Sequence, residues 1–250
     1  MSWGSILFIS FEKNIYHVVR NNHLILLDLM NDDFSILSKE QTKILIMAFE
    51  ESSWDINDEG LVQSANLDND KSEFTRFMIS KNVISTHLST SKQKINISQK
   101  YINSFLSWKI PKFKLKNISL FYFILAIRSI FDAKKLRKRD GFLSIVENIN
   151  KNKRHLYQTE SSVDINRLVD SYNFATNFFY SATRCLEWSA GLTFMLQKLN
   201  VKANFIVGIQ THPFISHAWV EINNVPIGNE VQDCDFLSEI LIKSTFENIE

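Results

Sequence analysis

The chain has 250 residues, 45% of them hydrophobic and 22% charged, with a formal net charge of +1 at pH 7. This is material for one large or two small globular domains, and the scarcity of Gly (6) and Pro (3) excludes collagen-like repeats and long flexible linkers. Two cysteines exclude a disulfide framework, and the near-zero net charge hides segments of −7 (residues 1–80), +13 (81–160) and −5 (161–250).

The N-terminus lacks a basic n-region and a small-residue cleavage site, so no secretory signal is read; a cytoplasmic, reducing location with free thiols is the expectation. Three short runs rich in β-branched and apolar residues follow: IYHVVRN (15–21), HLILLDLM (23–30) and DFSILS (33–38). Asn31-Asp32-Asp33 supplies turn chemistry between the last two. Ser38 and Gln41 fit a capping box, followed by Ile44, Leu45, Met47 and Ala48 at helical spacing. Weaker helices at about 53–64 and 70–82 complete a small domain of residues 1–84.

Residues 85–117 are rich in Lys, Ser and Asn and read as a linker, with Pro111 near its end. A helix over 118–139 is predicted to stop at Gly141, followed by helices at 142–151 and 161–180. Its lipophilic start, ISLFYFILAIRSIF, has 14 residues and carries Arg128, too short to span a bilayer, so a core helix without stable membrane insertion is expected. Its basic end, KKLRKRD (134–140), comes without any zinc-finger, RNP or helix-turn-helix signature. A solvated helix end or a site for an acidic protein is expected there, and no nucleic acid.

The last third changes character. A helix runs from Cys185 to about Leu199, then the strands NFIVGIQ (204–210), SHAWVEIN (216–223) and VPIGN (225–229) form a meander, with a tight turn at Asn223-Asn224. The fold class is therefore α+β: a small three-stranded sheet with helices, a helical region, and a helix packed on an antiparallel meander over residues 118–250.

Cys185 at the mouth of a helix and His217 on a strand, 32 residues apart, suggest thiol chemistry. A free thiol has a pKa of about 8.5, and a helix N-terminus with an adjacent imidazolium lowers it to roughly 3.5–7.5. The imidazole returns the proton to a leaving amine, and a third polar group orients the ring. Strand alternation puts His217, Trp219 and Glu221 on one face, and the next strand can present Asn229 beside His217. Against this stands the commoner case of an inert buried cysteine. His212, in a loop, and Cys234, between Asp233 and Asp235, are read as structural.

The segment RCLEWSAGLTFMLQKLNVKANFIVGIQTHPFISHAWVEINNVPIGNE resembles the B proteins of lasso-peptide maturation, which belong to the transglutaminase-like cysteine peptidases. The marks are Arg184-Cys185-Leu186, IVGIQTHPF and His217-Ala218-Trp219-Val220-Glu221. HLILLDLMNDDFSIL is similar to the PqqD-like leader-recognition element that the microcin type carries fused to its peptidase. The resemblance implies a transglutaminase-like or papain-like core with Cys185, His217 and Asn229 as the catalytic set. The family pattern has Asp where this chain has Asn229; Asn229 is favoured by its even offset from His217, with Glu230 the alternative. The resemblance further implies removal of the leader from a ribosomally made precursor, and a partner cyclase similar to asparagine synthetase. No G-x-x-x-x-G-K-[ST] is present, so no cofactor is expected, and any ATP dependence is expected through the cyclase. The leader is expected to add a strand to the edge at Phe34 and Ile36, with Phe74, Phe77 and Met78 of the following helix as its pocket. A thiol acyltransferase and a non-catalytic scaffold that presents the precursor are the alternative functions.

Overall fold

The computed structural model describes residues 6–50, 55–56, 62–63, 69–89, 93–100, 109–153, 163–179, 184–228 and 234–246. The chain divides into two compact units, residues 1–29 with 33–99 and residues 30–32 with 100–250.

In the first unit, β1 (Ile6–Phe11) pairs antiparallel with β7 (Ile84–Ser89), and β2 (Ile15–Arg20), β3 (His23–Asp28) and β4 (Asp33–Ile36) form an antiparallel sheet in that order. The β2–β3 hairpin turns on Asn21 and Asn22, both at positive φ, as a two-residue turn between right-twisted strands demands. The predicted capping box is present: the Ser38 N–H donates to Gln41 Oε1 (3.0 Å) and the Gln41 N–H to Ser38 Oγ (3.1 Å). It opens α1 (Lys39–Glu50), which lays Leu45, Ala48 and Phe49 on Leu24, Leu26 and Ile84. Where a helix was expected at 53–64, the described residues form two-residue strands, β5 (Asp55–Ile56) and β6 (Val62–Gln63). The Asp, Asn and Gly between them supply no apolar helical stripe. The helix expected at 70–82 is α2 (Asn69–Ser80). The strand β7, residues 84–89, extends from the end of the expected first domain into the segment 85–117 that composition assigns to a linker.

The outer edge of β2 is occupied by the chain itself. The Val19 N–H donates to the Asn96 carbonyl and the Ser98 N–H to the Val19 carbonyl, both at 2.8 Å, as Ile97 bridges Val19 in parallel. Among the described residues, β4 is the edge of this sheet without a strand beside it.

In the second unit, α3 (Leu120–Lys151) is broken where the sequence predicts, at Asp140 and at Gly141 with φ +69°. A side chain is strained at that backbone angle, so glycine is the residue that permits the bend. Asp164 caps α4 (Ile165–Asn177), its Oδ1 accepting the Arg167 N–H at 3.1 Å. Then come α5 (Cys185–Lys198), β8 (Asn204–Thr211), β9 (Phe214–Ile222), β10 (Val225–Pro226) and β11 (Ser238–Ser244), with sheet order β10-β9-β8-β11. The β9–β10 turn is Asn223-Asn224, both at positive φ, as expected. β11, absent from the sequence expectation, pairs along the far edge of β8.

Helix α5 is the centre of this unit. Trp188, Leu192, Met195 and Leu196 are buried with Ala126 and Ile130 of α3, Leu168 and Tyr172 of α4 and Val220 of β9. Each such large side chain contributes roughly 1.5–3 kcal/mol by leaving water. The lipophilic start of α3 is core on one side only. Ala126, Ile130 and Ala133 are buried, whereas Leu120, Phe121, Ile124 and Phe131 are exposed. The expectation of a core helix thus holds for its inward stripe alone, because a helix packed on one layer has an outward face.

Candidate active site

Helix α5 begins where its N-cap, Arg184, leaves helical geometry, and the Arg184 N–H donates to Glu187 Oε2 at 3.1 Å. Cys185 is therefore the first helical residue, with the unpaired N–H groups of the first turn around it. The bond from Trp188 to α4 fixes that end. Trp188 Nε1 donates to Asn173 Oδ1 (3.1 Å), and the Tyr172 hydroxyl donates to the Trp188 carbonyl (2.8 Å).

The same turn docks on the edge of β9. β10 pairs only with Ile222 and Glu221, and the Ile227 N–H adds one bond to the Val220 carbonyl. By strand alternation the peptide groups of Ala218 point to that same side, beyond the end of β10. Helix α5 takes their place. The buried Ser189 Oγ donates to the Ala218 carbonyl at 2.8 Å, and the Ala218 N–H lies near enough to the Cys185 thiol to lower its pKa. Cys185 and Ser189 stand four residues apart on one helical face, so both face Ala218. The N–H that reaches the sulfur belongs to the peptide joining His217 to Ala218. The thiol thus lies near the strand residue next to the one that carries the imidazole.

His217 is 4% exposed and stacks near Trp219, with ring centroids 6.1 Å apart and planes at 14°. Trp219 Nε1 donates to Glu221 Oε1 at 2.8 Å, so the row His217, Trp219, Glu221 is the expected one. Opposite His217 in the register is Gly208. A Cβ there would lie 2.7 Å from the Trp219 ring and 2.9 Å from Leu237 Cβ, so the ring beside His217 needs a glycine across the ladder.

The electrostatics differ from the sequence expectation of a resting thiolate and imidazolium. Burial pushes the Cys185 thiol up; the Ala218, Leu186 and Cys185 N–H groups pull it back, and the Glu187 carboxylate pushes it up further. Burial lowers the pKa of His217 from 6.5 to about 4. Desolvation works against both charged forms, so the apo site favours a neutral thiol and a neutral imidazole.

Asn229 and Glu230 lie outside the described residues. The chain leading to them ends at Gly228, with φ +70°, where a Cβ would lie 2.9 Å from the Trp188 ring. Cys234 is buried in hydrocarbon with Ile206, Trp219 and Leu237, and His212 sits in the β8–β9 turn. In the first unit, Phe34 is half-buried and Ile36 exposed on β4, paired with Leu27 and Ile25 of β3. Phe77 is exposed and its ring stacks with that of Phe74, whereas Met78 is turned into the core. Helix α2 packs chiefly on α1, β6 and β7. Sequence reasoning passed over Ser189, Glu187 and Gly208. The signal for Ser189 was its place one helical turn after Cys185.

The profile of the transglutaminase-like superfamily matches residues 128–241. The chain is 27% identical over 228 residues to the microcin J25-processing protein McjB of Escherichia coli, covering 87% of this chain and 93% of that protein. No solved structure gives a significant match. Read together with the docking of α5 on β9, the chain is similar across both units to a microcin-processing protein, and residues 128–241 resemble the transglutaminase-like superfamily.

Proposed function

We propose that the chain is a cysteine peptidase that removes the leader from a ribosomally made lasso precursor, with Cys185 as nucleophile, His217 as proton carrier and Asn229 as the group that orients the ring. The observation that carries this reading is the docking of α5, whose first residue is Cys185, on β9 beside His217, where Ser189 Oγ donates to the Ala218 carbonyl at 2.8 Å.

The neutral pair sets the course of the reaction. His217 takes the thiol proton as the sulfur attacks the scissile carbonyl, so charge separates only as the C–S bond forms. First-turn N–H groups of α5 face the developing oxyanion. The imidazolium then gives its proton to the leaving amine, which becomes the N-terminus of the core. A thioester to the leader remains. Water, losing a proton to His217, attacks it and releases the leader as a free acid, and the thiol is restored. An asparagine-synthetase-like cyclase then uses the new amine. Similarity to a processing protein favours water over an amine as the final acceptor.

The leader is held by the first unit as an added strand on β4, the edge that the chain's own residues 96–98 leave open. Exposed Ile36 and Phe77 give side-chain contacts. Tethering raises the effective concentration of the scissile bond at the thiol, so a weak peptidase site suffices for one substrate.

The test is incubation of the full chain with precursor and cyclase, read by mass spectrometry. Cys185→Ala is expected to abolish cleavage and His217→Ala to reduce it by at least ~10³-fold. A fully active Cys185→Ala protein refutes thiol catalysis. An amine-extended leader in place of the free acid establishes acyl transfer instead.

A further inference from the structure

We propose that the tip of the second unit formed by the 3₁₀ turn Leu115–Asn117, the start of α3 and the end of α4 docks the protein peripherally on an anionic lipid bilayer. This inference is independent of the peptidase reading.

Two observations converge. First, Leu115, Leu120, Phe121, Ile124 and Phe178 are 71, 72, 63, 47 and 63% exposed. They belong to elements packed on one another. Asn117 Nδ2 donates to Asp170 Oδ2 of α4 at 2.6 Å, the Ser119 N–H donates to Ser171 Oγ at 2.9 Å, and the Phe123 ring meets Phe178 edge-on at 5.9 Å. Large apolar side chains left outward together on one end of a soluble fold mark a contact surface.

Second, the segment that carries four of them is cationic. Between residues 109 and 131 there are five cations, Lys109, Lys112, Lys114, Lys116 and Arg128, and no Asp or Glu. Two acids border the segment: Asp170, charged and held by Asn117 at 2.6 Å, and Asp132, paired with Lys198 at 2.8 Å. Apolar residues that enter the acyl boundary beneath a collar of lysines match an anionic leaflet, whose potential attracts each cation separately. Among the described residues no helix is long and apolar enough to cross a membrane, so the contact is peripheral.

The experiment is co-sedimentation of the full chain with phosphatidylcholine vesicles, with and without phosphatidylglycerol, at low and high salt. The wild type is expected to sediment with the anionic vesicles, and weakly with neutral vesicles or at high salt. Leu120→Ser/Phe121→Ser and Lys114→Glu/Lys116→Glu each lower the bound-to-free ratio by at least about tenfold. All four positions are exposed, and far-UV circular dichroism and leader cleavage in solution are expected to match the wild type. Absence of sedimentation with anionic vesicles overturns the proposal, as does sedimentation that neither variant weakens. Self-association seen by light scattering and lost in Leu120→Ser/Phe121→Ser, without vesicle binding, assigns the tip to a second copy and equally overturns it.

Discussion

The buried imidazole makes a quantitative claim about acid stability. His217 has a folded pKa of about 4 against 6.5 for the free group, because its site excludes the charged form. The unfolded chain binds this proton first, so stability is whole above pH 6.5 and falls as pH drops through the window from 6.5 to about 4. Linkage over those two values gives a loss of roughly 2–3 kcal/mol between pH 7 and pH 4.5, with the bulk of it below pH 6. The comparison is urea unfolding of the wild type and His217→Gln at pH 7 and pH 4.5, followed by tryptophan fluorescence, since Trp188 and Trp219 both lie in this unit. Other titrating groups contribute alike to both proteins, so the difference of the two pH differences isolates the imidazole. His217→Gln is expected to lose less stability on acidification by that amount. An equal loss in both proteins would show that the ring is solvated or paired with an anion, and the neutral-pair course of the reaction would fail with it.

Two further outcomes follow from the same docking. Glu187→Gln keeps an acceptor for the Arg184 N–H while removing the charge that raises the thiol pKa, so the pH profile of Cys185 alkylation by iodoacetamide shifts to lower pH; an unchanged profile refutes the electrostatic role of Glu187. Ser189→Ala leaves the Ala218 carbonyl without its buried donor and costs about 1–3 kcal/mol of unfolding free energy. Because Ala218 also presents its N–H to the sulfur, cleavage falls through kcat with little change in KM, and Ser189→Thr, which keeps the hydroxyl, restores part of it.

Much of this was legible where local chemistry decides. Ser38 with Gln41, the paired asparagines at 223–224 and Gly141 before a second helix each prescribe a backbone geometry within a few residues, and each occurs where expected. Cys185 at a helix start and the row His217, Trp219, Glu221 were readable for the same reason. What stayed hidden depends on distant partners. β1 pairs with β7 from Ile6 to Ser89, so neither strand has a neighbouring hairpin to reveal it. β11 finds β8 only after the chain has left the meander. The neutral state of the thiol and imidazole was equally invisible, because a pKa depends on how deeply the fold buries the group, which residue types alone do not state.

The site's sensitivity rests on a substitution of one kind of backbone partner for another. A strand edge normally finds a second strand, whose register fixes many residues at once. Here β10 stops after two residues, and side chains of α5 complete the edge at Ala218. The arrangement lets a helix N-terminus reach a strand edge, which no strand-to-strand pairing provides, and places the thiol beside the residue that carries the imidazole. It also concentrates the register on Ser189. The nearby Ala218 N–H lowers the pKa of the sulfur, so it favours the thiolate just as the imidazole receives the proton. The backbone contact that positions the nucleophile therefore also favours the charge-separated state on the way to the thioester. A slack Ser189 would weaken both effects together.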